Sequence, residues 1–191
     1  MNEIELIRHQ LATEREHACA TARACAAALE RTAGDAPCGA AALADLCQAS
    51  IAFLAATLSS FEERDLRLVA LARARLRTED PARRALEEVL ARPAGNRELL
   101  EQLATAGAST TLGQGDTALA SWRQIADSLD TAWRARREAL EDLFAPHARV
   151  TDWRTVGGID ADSILAERRR YAQLCAQLPA VRRPATLATG A

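Results

Sequence analysis

The sequence predicts an all-α protein, an antiparallel up-and-down four-helix bundle with an additional C-terminal helix, and three observations lead there. Alanine supplies 44 of the 191 residues, against three Trp, three Phe and one Tyr, a composition that favours closely packed helices over sheet. Apolar residues recur at spacings of three and four through several long segments, the period of a helix with one buried face. Proline, glycine and capping Asp or Asn residues fall between those segments. Four long amphipathic stretches are therefore joined by short connections, and they pack most simply as neighbours running in alternate directions. The length suits one domain with a continuous core, placed at residues 1–178; residues 179–191, from Pro179 on, are expected to be a disordered tail.

The first helix is expected to start after Asn2, a good N-cap, and to run to about Thr32, where Ala33, Gly34 and Asp35 break it. Its stripe is Ile4, Ile7, Leu11, Ala18, Cys25 and Ala28 or Leu29, and it carries two polar insertions, Glu14 and Thr21. Pro37 and Gly39 close the loop, and a second helix from Ala40 to Arg77 presents Leu43, Cys47, Ser50, Leu54, Thr57, Phe61 and Leu68 on one face. Asp80 then caps a third helix, whose first position suits Pro81 because an N–H there would have no partner. Arg92-Pro93-Ala94-Gly95 interrupts that helix, since an interior proline costs about 3 kcal/mol, and Asn96 is expected to recap a segment to Ala106. The Ser- and Thr-rich stretch Gly107 to Gly115 reads as a loop. Asp116 caps the fourth helix, which aligns Leu119, Trp122, Ile125 or Ala126, Leu129, Trp133, Leu140, Leu143 and Phe144 before Pro146 stops it. Thr151 to Gly158 shows no strong helical period. A shorter fifth helix from Asp160 or Asp162 to Leu178 is expected to lie across one end or side of the bundle.

Composition argues against several function classes. All 24 basic residues are Arg, a pattern expected of a GC-rich bacterial genome, and 26 acidic residues leave a formal net charge of -2, so no global field steers the chain onto nucleic acid or an anionic membrane. Arg168-Arg169-Arg170 and Arg182-Arg183 have Tyr171 as their one nearby aromatic, whereas single-strand platforms combine charge with several stacking rings. The N-terminus lacks the apolar run of a secretory signal. The stretch Leu43 to Leu58 is interrupted by Asp45, Gln48, Ser50 and Thr57 and is expected not to span a bilayer. Five cysteines, Cys19, Cys25, Cys38, Cys47 and Cys175, are odd in number and show no CxxC spacing, which suits small apolar packing in a reducing cytoplasm.

Chemistry-bearing motifs are few. Neither a phosphate-binding loop nor a dinucleotide fingerprint is present, and His9, His17 and His147 are the only histidines from which a nucleophilic triad or zinc site could draw. One constellation stands out, Glu14-Arg15-Glu16-His17, a Glu-x-x-His pair on one helical face. Carboxylate-bridged di-iron bundles use that pair on two helices, each with further inward Glu residues; here it occurs once. Glu62 or Asp65 on the second helix and Glu138 or Glu141 on the fourth could add oxygens, although each belongs to a charged run that ordinarily faces water. The plainer reading of Glu14 and His17 is a pair of hydrogen-bonded polar groups at the edge of the helix seam.

Glu16-His17 in the first helix, Phe61-Glu62-Glu63 in the second, and Glu141-Asp142-Leu143-Phe144-Ala145-Pro146 followed by Asp152-Trp153 resemble motifs of the hemerythrin-like (HHE) four-helix bundles. The resemblance spans most of the chain and implies the scaffold. It implies a metal centre only in depleted form, because the family's His four residues ahead of the Glu is replaced by Leu58 and Ser59 on one helix and by Arg137 and Glu138 on the other. Three function classes follow. The leading expectation is a non-enzymatic cytoplasmic bundle with no cofactor, acting through a protein partner or as a homodimer, with neither nucleic acid nor membrane among its partners. The alternatives are a metal-binding or sensory domain holding iron or another divalent metal on Glu14, His17, Glu62 and Glu141, and a bundle that takes an apolar small molecule between its first, second and fourth helices.

Overall fold

The computed structural model describes residues 2–32, 40–91, 96–157 and 161–177, and all regular structure among them is helical. The long helices are α1 (Glu3–Thr32) and α2 (Ala40–Arg75), followed by α3 (Pro81–Ala91), α4 (Asn96–Thr111), α5 (Gly115–Ser128), α6 (Arg134–Phe144), α7 (Val150–Gly157) and α8 (Ala161–Gln177). A π-helical turn over Leu129–Trp133 joins α5 to α6 without a break, and a short 3-10 turn over Ala145–His147 follows α6. The expected break at 92–95 and the expected tail lie outside the described residues.

Local chemistry accounts for the ends. At the start of α1 the Asn2 side chain accepts from the Glu5 amide at 2.9 Å while Glu5 Oε2 accepts from the Asn2 amide at 2.8 Å, a reciprocal arrangement that satisfies two otherwise free donors. Asp80 Oδ1 accepts from the Ala82 amide at 2.8 Å, with Pro81 at the first helical position.

Several expectations need correction. Helix α5 opens at Gly115 with Gln114, not Asp116, at its cap position and no side-chain cap. Helix α4 runs on to Thr111 instead of stopping at Ala106. Thr110 and Thr111 turn their hydroxyls back onto the carbonyls of Ala106 and Gly107, and Gly107 is where α2 comes close: a Cβ there would sit 3.0 Å from Ile51 Cδ1. The helix ends at Gly113, whose φ of +69° only glycine takes without strain, and whose neighbour Gln114 donates to Ser109 O at 3.0 Å. Asn96 does open α4, but its side-chain oxygen turns into the core instead of capping. Finally, Val150–Gly157 is helical: Asp152 Oδ2 accepts from the Arg149 amide at 2.7 Å, and Trp153 and Val156, three apart, are buried.

Contacts between helices fix their directions. Arg64 meets Glu14, and Ser50 meets Cys25, so α2 descends as α1 rises. Ion pairs of Arg123 with Glu30, Arg23 with Asp130 and Arg15 with Glu141 set the α5–α6 rod antiparallel to α1. Helix α4 packs on α2 and α5, α3 on α6, and α7 on both α1 and α2. Helix α8 lies along α2 and reaches α1 through His17. The core enclosed by these helices includes Trp122, Trp133, Trp153 and Phe144, all fully buried.

Helix α2 ends at Arg75, two residues before the expected Arg77. By length and composition alone it could cross a membrane, with a mean hydropathy of 1.6 over its most apolar window. That apolarity is matched here by neighbours in α1, α4, α7 and α8, against which Leu46, Cys47, Leu54, Leu58 and Phe61 are buried.

Candidate functional site

Polar side chains on α1, α2 and α6 meet inside the protein as a network of ion pairs. Gln10, Glu14 and Arg15 come from α1, Arg64 and Asp65 from α2, and Arg137 and Glu141 from α6; all are buried. Glu14 follows Gln10, and Glu141 follows Arg137, by one helical turn, so each pair points the same way. Arg64 donates to Glu14 Oε2 at 2.5 Å and to the carbonyl of Gly157 at 2.9 Å, and Gln10 donates to Glu14 Oε1 at 3.2 Å. Arg15 donates to Glu141. Arg137 grips both oxygens of Asp65, one of them at 2.7 Å, and shares the Asn96 side-chain oxygen with the Trp133 indole N–H, at 3.1 and 2.8 Å respectively. The guanidiniums of Arg64 and Arg137 lie over the Phe61 ring, at 4.8 and 4.9 Å from its centre, a favourable cation–π placement.

Among these groups is a cavity of about 20 Å³ lined by Phe61, Arg64, Asp65, Arg137 and Glu141 together with apolar side chains. That is room for one water. Arg137 Nε, which has no protein partner, is a donor such a water would satisfy.

Burial outweighs attraction in this network. Desolvation pushes the Asp65 carboxyl above its ordinary range against the pull of Arg137 and Arg136, and raises Glu141 against the pull of Arg15. Burial also pushes the Arg137 guanidinium down to about 10. Just above the ordinary carboxylate range the folded protein therefore keeps protons on Asp65 and Glu141 that the unfolded chain has released, and at higher pH both are carboxylates. The stability these two carboxyls contribute is complete below the ordinary carboxylate range, about pH 4, and is lost as the pH rises through their raised values. Glu141→Gln removes one of them. The expected outcome is a shallower fall in unfolding free energy as the pH rises above about 4, measured by urea titration at a series of pH values.

The sequence-predicted ligands do not converge. Glu14 is engaged by Arg64 and Gln10, Glu141 by Arg15, and Glu62 is exposed on α2. His17 faces α8 instead: its Nδ1 is 2.7 Å from Glu167 Oε1, and its ring stacks on Tyr171 at 3.7 Å between centres with 9° between planes. Among the described residues no three His, Cys, Asp or Glu side chains are grouped to hold a metal ion. The donor set explains why iron or another divalent metal does not fit: a cation among Glu14, Asp65 and Glu141 would face the guanidiniums of Arg15, Arg64 and Arg137, which already neutralise those carboxylates. Glu167 is the partner that sequence reasoning missed. It directly precedes Arg168-Arg169-Arg170, which are exposed, and the charged run concealed its one inward residue.

Comparison of the chain with family models, with curated proteins and with solved structures gives no match.

Proposed function

We propose that this chain is a non-enzymatic cytoplasmic scaffold, an antiparallel four-helix bundle with α8 as an additional helix, and that it acts by associating with protein, either a second copy of itself or another chain. The observation that carries this reading is the state of its interior chemistry. Every carboxylate in the central network has an arginine against it, and His17 is taken up by Glu167 and Tyr171. The cavity beside them is water-sized, so a general acid or base there has no substrate to meet. Arrangements of this kind fix which helix faces which, a role buried ion pairs can serve even where they add no stability. The hemerythrin-like resemblance supports the scaffold half of this reading and nothing in its chemistry.

Self-association is the version open to direct measurement. Light scattering coupled to size-exclusion chromatography, run over a hundredfold concentration range, is expected to show a dimer that dissociates on dilution. A constant monomer mass over that range would remove the homodimer and leave a different protein as the partner.

A further inference from the structure

We propose that the groove between α2 and α8 binds a free single-chain amphiphile with a carboxylate head, such as a medium-chain fatty acid, and that Arg170 holds the head. The groove has a volume of about 300 Å³ and is lined by Ala49, Ala52, Phe53 and Ala56 from α2 and by Arg170, Gln173 and Leu174 from α8. That is the lower end of the roughly 300–1,000 Å³ range of small-molecule sites. The groove shares no residue with the arginine–carboxylate network, and the scaffold reading assigns it no role.

Residue spacing makes the trough. Ala49, Ala52 and Ala56 recur at steps of three and four, so they stand on one face of α2, and each side chain stops at Cβ. Longer side chains there would close the space beside α8; these leave it open. Phe53 and Leu174, both buried, supply the apolar inner part of the groove. Apolar surface is in surplus on this helix, because only 39 % of the most apolar window of α2 is buried. A ligand chain that covers part of the rest is drawn in by the hydrophobic effect.

Charge selects the head group. Among the described residues Arg170 is the one charged side chain that lines the groove. It is exposed, and no carboxylate of the described residues forms an ion pair with it. Gln173 follows by three residues, so its amide flanks the groove on the same side as the guanidinium. A carboxylate accepts two parallel N–H bonds from a guanidinium, and the Gln173 amide is a further donor. A cationic head would be repelled by Arg170, and a neutral head would make no charge-assisted bond. The three alanines span about 10 Å of helix, which suits a medium-length chain laid against Phe53 and Leu174.

The test uses the full chain, isotope-labelled, with octanoate below its micelle concentration as the probe and amide NMR as the readout. Saturable shifts confined to residues 49–56 and 170–174 are expected, with none from octylammonium, which has the same chain and the opposite charge. Arg170→Gln is expected to raise the dissociation constant roughly fivefold, the upper scale of one solvent-exposed charge pair. Ala52→Glu sets a carboxylate of the chain's own beside Arg170, at an exposed position where glutamate suits a helix, and is expected to abolish binding while the circular dichroism melt stays that of the parent. Because the unsubstituted protein gives the first readout, failure of a variant to fold leaves the test intact. No saturable shift with octanoate, equal shifts with octylammonium, or full binding by folded Ala52→Glu would overturn the proposal. Shifts at these residues produced only by raising the protein concentration, or only by anionic phospholipid vesicles, would assign the groove to a second copy or to a bilayer and overturn it as well.

Discussion

Arg137→Met is expected to lower the free energy of unfolding by about 3–5 kcal/mol, the loss typical when one member of a buried ion pair is removed. Urea unfolding followed by circular dichroism reads it directly. The substitution keeps an unbranched, though shorter, side chain but withdraws the donor from both oxygens of Asp65, which is buried between α2 and α6 and whose other ion pair among the described residues is with Arg136 at 3.6 Å. It also removes one of the two donors on Asn96 and leaves the other, the Trp133 indole, in place. The informative companion is the double variant Asp65→Leu with Arg137→Met. Burial moves both groups toward their neutral forms, Asp65 upward and Arg137 downward, and replacing such a buried pair by apolar groups of similar size is often neutral or stabilising. The double variant is therefore expected to regain most of the single variant's loss. A double variant as unstable as the single would mean that the pair stabilises the fold beyond its own neutralisation.

Why the sequence revealed the helices but not this network follows from how each is encoded. Apolar periodicity and caps are local, and the ends of α1 and α3 could be read from Asn2, Asp80 and Pro81 alone. Glu14 was visible as a polar residue inside an apolar stripe. Arg64, Asp65, Arg137 and Glu141 sit in charged runs, and their solvated neighbours Glu62, Glu63 and Glu138 look the same one residue at a time. Only packing tells an arginine that reaches inward from one that reaches out. The same limit hid His17, whose partners lie on α8, 150 residues away for Glu167. Helix α7 was missed because eight residues hold too few turns for a period to show. Its signal was the cap formed by Asp152 and the inward Trp153.

The π-helical turn could have been read from spacing, and it makes a second strong prediction. The most deeply buried positions on the α5–α6 rod fall at Ala118, Trp122, Ile125, Leu129, Trp133, Arg137, Leu140 and Phe144. Steps of four and three alternate up to Leu129, then two steps of four follow in succession. In an α-helix each step of four advances about 40° past a full turn, so repeated steps carry the stripe off the core. The turn over Leu129–Trp133 takes up the extra residue: the Arg134 amide reaches back to the carbonyl of Leu129, five residues earlier. Removing one residue inside that turn should then be tolerated. Deletion of Ala132, which is exposed, restores alternating steps from Ala118 to Phe144 and is expected to leave a cooperative transition within about 1–2 kcal/mol of the parent, the scale of an ordinary single change. Deletion of the equally exposed Glu138, past the turn, rotates Leu140, Glu141 and Phe144 by about 100° away from the core. Losing Leu140 and Phe144 from the interior costs on the order of 3–5 kcal/mol each, a large part of the roughly 5–15 kcal/mol that holds a domain together. That variant is expected to lose its near-ultraviolet tryptophan signal and its cooperative melt. If both deletions unfold the protein equally, the extra residue is not what the π-turn absorbs.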